Sequence, residues 1–150
     1  MKLSLLAETK KISKKISKII KVGDIIFLYG EIGSGKTTFT RFLINHLQVE
    51  NRIKKTDILS PTFNIVYYKI NKTIIQHYDL YRVKNYKDIL ELGMFQTLKN
   101  SITIVEWPEL IKLKPKDRID IFLSYSKSMT SRNIKIIGFG KWKKYKFNEI

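Results

Sequence analysis

Eight consecutive residues, Gly30-Glu31-Ile32-Gly33-Ser34-Gly35-Lys36-Thr37, match the pattern G-x-x-x-x-G-K-[ST] in full. Glycines permit backbone angles that turn successive N–H groups toward one anion. A helix that follows presents its positive end to the same anion. Lys36 is expected to reach the β- and γ-phosphates of a nucleotide, and the Thr37 hydroxyl to ligate Mg²⁺. The residues expected to bind ATP are therefore Glu31, Ile32, Gly33, Ser34, Gly35, Lys36, Thr37 and Thr38. The competing reading is a glycine turn of structural use only.

Magnesium prefers oxygen ligands, commonly a carboxylate at the end of a neighbouring strand. Glu106, directly after the apolar run Ile102–Val105, occupies such a place, although aspartate is the commoner choice. Asp79, closing the segment that carries His77, is the second candidate. Either acid could instead sit on the surface at a strand end.

These groups need elements to hold them. Ile12, Ile16, Ile19 and Ile20 recur at helical spacing, which predicts a helix over 8–21 with lysines on its other face. The turn Val22-Gly23-Asp24 ends it. Ile25–Tyr29 is short, apolar and β-branched or aromatic, as a central buried strand should be. Lys36–Leu47 reads as a helix with Phe39, Phe42, Leu43 and Leu47 on one side. The glycine-rich loop thus lies between a strand and a helix, the context its chemistry requires.

Further on, 64–70 and 72–78 read as two strands joined at Asn71, and 86–92 and 96–98 as helical. Ile102–Val105 is another buried strand, and 118–125 with 132–137 forms a hairpin across the polar turn Ser126–Ser131. Several strands with little helix between them predict an α/β sandwich with a mixed sheet. The 150 residues fit one domain, 1–150, with a basic tail at about 141–150.

Composition removes several classes of function. The chain has no cysteine and only two histidines, His46 and His77, which excludes thiolate and multi-histidine metal sites. No apolar stretch approaches the roughly 20 residues that span a bilayer, and the amino terminus lacks a signal-peptide pattern. A cytoplasmic protein is expected. The net charge of +16 suggests nucleic acid, but it comes from 24 lysines against 5 arginines, beside 24 isoleucines. Phosphate recognition favours the planar arginine fork, so a solvated lysine surface is the plainer account. Lys141-Trp142-Lys143-Lys144-Tyr145-Lys146-Phe147 interleaves cations with aromatics and could touch RNA; a solvated tail is the alternative.

Among nucleotide-binding classes, a guanine switch needs N-K-x-D and D-x-x-G. Asn71-Lys72-Thr73-Ile74 lacks the aspartate, and no aspartate is followed three residues later by glycine. No cluster of arginines marks a kinase lid. An ATPase acting on a partner remains, with a nucleotide-dependent binding module of negligible hydrolysis as its alternative.

Ser60-Pro61-Thr62-Phe63, His77-Tyr78-Asp79-Leu80-Tyr81-Arg82, Glu91-Leu92-Gly93 and Glu106-Trp107-Pro108 follow the loop in order. With these motifs the chain, from about 8 to 138, resembles the TsaE (formerly YjeE) family, bacterial ATPases of tRNA threonylcarbamoyladenosine biosynthesis. The resemblance implies a P-loop NTPase-like three-layer sandwich with a mixed parallel/antiparallel sheet. It further implies ATP hydrolysis coupled to the TsaD and TsaB proteins, which modify adenosine 37 of tRNAs reading ANN codons. Whether this chain touches the tRNA directly stays open.

By the same resemblance, 60–63 is a switch-like segment whose Thr62 can offer its hydroxyl to phosphate, metal or water. Glu106 is the Walker B-type acid and metal ligand with Thr37, and Asp79 orients water or the metal. Trp107 lies beside the site. Arg82 neutralises developing charge or pairs with Glu91. For His77 two readings stand, polarising water or, the plainer one, supporting its strand end by hydrogen bonding. Asp79, Glu106 and Thr62 are the expected catalytic residues.

Overall fold

In the computed structural model, which describes residues 5–61, 64–128 and 130–147, the chain builds one six-stranded sheet with helical layers on its two faces. The elements run α1 (Leu5–Ser17), β1 (Ile25–Tyr29), α2 (Lys36–Glu50), β2 (Ile65–Ile70), β3 (Thr73–Asp79), α3 (Tyr86–Glu91), β4 (Ser101–Glu106), β5 (Arg118–Tyr125) and β6 (Arg132–Phe139). The strand order is β2-β3-β4-β1-β5-β6. The four inner strands are parallel, and the edge strands β2 and β6 are antiparallel to their neighbours. The expected α/β sandwich with a mixed sheet is what forms.

Alternation along the strands explains the layers. Along β1, Ile26 and Leu28 join Ile75, Ile102, Ile104, Ile119, Ile121 and Leu123 beneath α1 and α2. The intervening Ile25 and Phe27 face the other way, packing with Tyr78, Val105, Ile89 of α3, Met94 and Ile111. A strand buried on both faces has no polar side to show, which is why β1 reads as an unbroken apolar run. Phe39, Leu43, Ile44 and Leu47 of α2 fill the first layer together with Ile16 and Ile20.

Element ends depart from expectation where side chains intervene. Helix α1 stops at Ser17, whose hydroxyl lies 2.8 Å from Lys14 O and 3.0 Å from Glu50 Oε1. A serine competing for backbone partners weakens the helix there, and Ile19 and Ile20 follow in a turn. Strand β2 opens at Ile65, one residue late, because Asn64 takes a left-handed φ of 67°. The expected helix at 96–98 is two short 3₁₀ turns, Met94–Gln96 and Leu98–Asn100. Thr97 separates them, its hydroxyl 2.7 Å from Gln76 Nε2.

The basic carboxyl segment corrects a reading. Trp142 and Phe147 are buried at its two ends and belong to the core beneath α1 and α2, so only its lysines and Tyr145 are exposed. Cations here snorkel around an aromatic anchor. Among the described residues no helix is long and apolar enough to cross a membrane.

The parallel register brings Asp79, Glu106 and Leu28 side by side at the carboxyl ends of β3, β4 and β1. Such an edge is where α/β sheets bind ligands. Leu43 is fully buried between α2 and the sheet. Leu43→Ala should cost about 2–5 kcal/mol, read by urea unfolding as a lower midpoint at unchanged slope.

Candidate nucleotide site

The turn from β1 into α2 begins at Gly30, with φ 149°, and ends at Gly35, with φ 106°, which is the N-cap of α2. A side chain at Gly30 would overlap the carbonyl of Leu123 and lie 2.5 Å from Ser34 Oγ. Only glycine fits there. Gly35 caps α2 without a side-chain hydrogen bond, and no acid occupies the first turn of that helix. The N–H groups at its start and their partial positive charge are left for an anion.

Lys36 is buried, and its Nζ donates to Gly30 O at 2.6 Å and Glu31 O at 2.9 Å. The ammonium also lies 3.9 Å from the centre of the Trp107 ring. Burial lowers its pKa from the ordinary lysine value, against the opposing pull of Glu106, Glu109 and Asp79.

Glu106 is almost wholly buried at 2% exposure and is held from two sides. His77 Nε2 donates to its Oε1 at 2.8 Å, and Thr37 Oγ1 donates to its Oε2 at 3.1 Å. His77 therefore supports its strand end through Glu106. The Thr37 hydroxyl also lies 3.0 Å from Ser60 Oγ, so the segment leading to Pro61 meets the loop. Thr62 and Phe63 lie outside the described residues.

Asp79 lines the same cleft, and its Oδ1 accepts from Tyr81 N at 3.0 Å. Its pKa is raised chiefly by burial; Glu106 adds to this, while the Tyr81 amide, His77 and Lys36 act against it. Tyr81 packs its ring on Trp107 at 4.8 Å between centres. Trp107 holds a left-handed φ of 60° and ψ of 57°, a conformation costly for a bulky residue and the kind that persists at functional sites. The cleft these groups enclose measures about 310 Å³.

The loop residues Gly33, Gly35, Lys36, Thr37 and Thr38, together with Asp79, Glu106 and Trp107, thus meet in one cleft. Arg82 is exposed and does not line it. Ser60, Tyr81 and Arg132 do line it, and Arg132 arrives from a strand that the sequence marks only as half of a hairpin. A larger cleft of about 1170 Å³, between Lys116–Arg118 and the carboxyl segment, lies at the amino end of β5, away from this site.

A hydroxyl and a carboxylate 3.1 Å apart at a phosphate-type loop suit Mg²⁺, which keeps several waters and needs few protein ligands. Among the described residues no group of three or more His, Cys, Asp or Glu could hold a metal.

The sequence profile of the family described as "Threonylcarbamoyl adenosine biosynthesis protein TsaE" matches residues 3–134. The chain belongs to the TsaE family. Among curated TsaE proteins it is 44% identical over 106 residues to that of Rickettsia felis, covering 70% of this chain and 60% of that protein. It is 32% identical over 119 residues to that of Bacillus subtilis, covering 77% and 71%. The chain thus spans about six tenths of the Rickettsia felis protein. The crystal structure of Bacillus subtilis YdiB aligns with a TM-score of 0.73 and 25% identity over 96% of this chain and 86% of that one. The sequence-based assignment to TsaE and the P-loop NTPase-like mixed sheet both stand.

The raised pKa of Asp79 carries a stability consequence. An acid whose folded pKa exceeds its unfolded one loses stability as pH climbs from the ordinary carboxylate value through the raised one. Asp79→Asn keeps an acceptor for the Tyr81 amide and removes that loss. The variant should melt above the wild type at neutral pH and level with it below about pH 3, measured by calorimetry across that range.

Proposed function

We propose that this chain is a Mg²⁺-dependent ATPase of threonylcarbamoyl modification at adenosine 37 of tRNAs reading ANN codons. In this reading it acts in the cytoplasm with TsaD and TsaB and drives their turnover without itself transferring the group. The observation that carries the reading is the convergence of the Thr37 hydroxyl and the buried Glu106 carboxylate in front of Lys36 and the glycine loop. The names of the relatives support the pathway.

Lys36 Nζ exchanges the carbonyls of Gly30 and Glu31 for phosphate oxygens, a swap of neutral partners for charged ones that strengthens each hydrogen bond. Thr37 and Glu106 are the residues suited to hold Mg²⁺, which when bound would neutralise charge developing on the phosphates. Asp79 and Thr62 orient the attacking water. The water oxygen bonds to the γ-phosphorus as the bond to the β–γ bridging oxygen breaks; ADP departs with that oxygen, and both of the water's protons leave on the phosphate product as H2PO4−. Chemistry of this kind rests on placement and charge, so the isolated chain should turn over slowly and faster once partners complete the site.

Lys36→Ala should weaken Mg·ATP binding by roughly 10- to 100-fold, the loss of one charge-assisted contact. Glu106→Gln keeps the shape and removes the charge, and should lower kcat by roughly 100-fold while changing ATP affinity far less. Phosphate release assayed with and without TsaD and TsaB tests both. Full activity in the Glu106 variant would reassign the acid. Absent hydrolysis even with both partners would leave a nucleotide-dependent binding module.

A further inference from the structure

Strand β6 delivers a cation to the phosphate loop that no loop motif announces. Arg132 pairs with Tyr125 at the turn end of the β5–β6 hairpin. In the parallel register Tyr29 aligns with Phe122, so Tyr125 and Arg132 overhang the loop that leaves β1. Tyr125 donates its hydroxyl to Gly33 O at 2.5 Å. Arg132 lies against the loop as closely as glycine allows: a Cβ on Gly35 would stand 2.7 Å from its Nη1 and 3.3 Å from its Cζ.

This guanidinium is poorly committed. Its Nη2 donates to Gly33 O at a long 3.4 Å, and its Nε is buried with no hydrogen-bond partner. Among the described residues no acid forms an ion pair with it. A buried unmade hydrogen bond is costly, and here it sits beside two other positive features, the Lys36 ammonium and the uncapped start of α2. Three sources of positive potential line one cleft together with the acids Asp79 and Glu106, which stand at the ends of other strands. An anion on the loop would serve all three.

Composition adds an independent pointer. Basic positions in this chain are lysine 24 times and arginine 5 times. An arginine facing a phosphate loop in so lysine-rich a chain fits a task that needs a planar, multidentate fork and not only a charge.

We infer that Arg132 is a nucleotide-binding residue of this cleft, its guanidinium gripping the phosphate chain from the β6 side, opposite Glu106 and Asp79. This rests on the cleft being a nucleotide site. Arg132 reaches it from within the same chain, so the grip does not wait for a partner protein. The contact to Gly33 O is then exchanged for phosphate oxygens, as the Lys36 contacts are.

The test compares the wild type, Arg132→Gln and Arg132→Lys by calorimetric titration with Mg·ATP and Mg·ADP at two salt concentrations. Glutamine keeps an N–H for Gly33 O and removes the charge; lysine keeps the charge and removes the fork. The expected result is a loss of tenfold or more for glutamine, a smaller loss for lysine, and a shallower salt dependence in the glutamine variant, with melting temperatures of the nucleotide-free proteins little changed. If glutamine binds as tightly as wild type, Arg132 merely braces the loop and the inference falls while the nucleotide site stands. If the wild type itself binds neither nucleotide, the reading of the cleft falls, and this inference with it.

Discussion

The site depends on a carboxylate that the fold has taken out of water. Glu106 is buried, and a charge so placed is tolerated only with partners that replace its hydration. Its partners come from two other elements, His77 from β3 and Thr37 from the first turn of α2. The chain His77–Glu106–Thr37 therefore fixes the position of the phosphate loop relative to the sheet. Loss of either partner would leave a buried oxygen unsatisfied, a larger cost than the bond itself contributes. Positioning and stability are here the same interaction.

The surrounding core makes that interaction rigid. His77, Ile104 and Glu106 lie on central parallel strands with apolar layers above and below, and close packing leaves little room for the acid to swing away. The mouth is different. Ile32 is 69% exposed at the loop tip, Leu59 is 68% exposed beside Ser60, and Tyr81 is 55% exposed over Trp107. The cleft thus couples a fixed inner wall to an apolar, solvent-facing rim.

Sequence made the inner wall legible and left much of the outer one obscure. The phosphate loop follows from local spacing, because its glycines, lysine and threonine act within eight residues of one another. Glu106 and Asp79 could be placed at strand ends, since an apolar run followed by an acid marks where a buried strand meets the binding edge. His77 was legible as a support but not as the partner of Glu106, because that contact spans 29 residues and requires the β3–β4 register. Arg132 offered only its residue type. Its role at the loop is created by a hairpin folded back beside β1, a non-local pairing that no short pattern encodes. Trp142 and Phe147 were hidden for a related reason: the lysines interleaved with them gave the segment a solvated look, while the core beneath α1 and α2 had room for two aromatic rings.

The two faces of the cleft differ in how a bound anion would change them. On the Glu106 side both carboxylate oxygens already accept hydrogen bonds, from His77 and Thr37, so an incoming metal or phosphate must replace good hydrogen bonds with better ones. On the Arg132 and Lys36 side the donors hold only backbone carbonyls or nothing, and the start of α2 has no side-chain cap. Charge-assisted bonds to phosphate exceed bonds to neutral carbonyls. The net gain on binding is therefore concentrated on the basic side, while the acidic side contributes geometry. Affinity and turnover should separate along that line, with the cations governing how tightly the nucleotide is held and the buried carboxylate governing what is done with it.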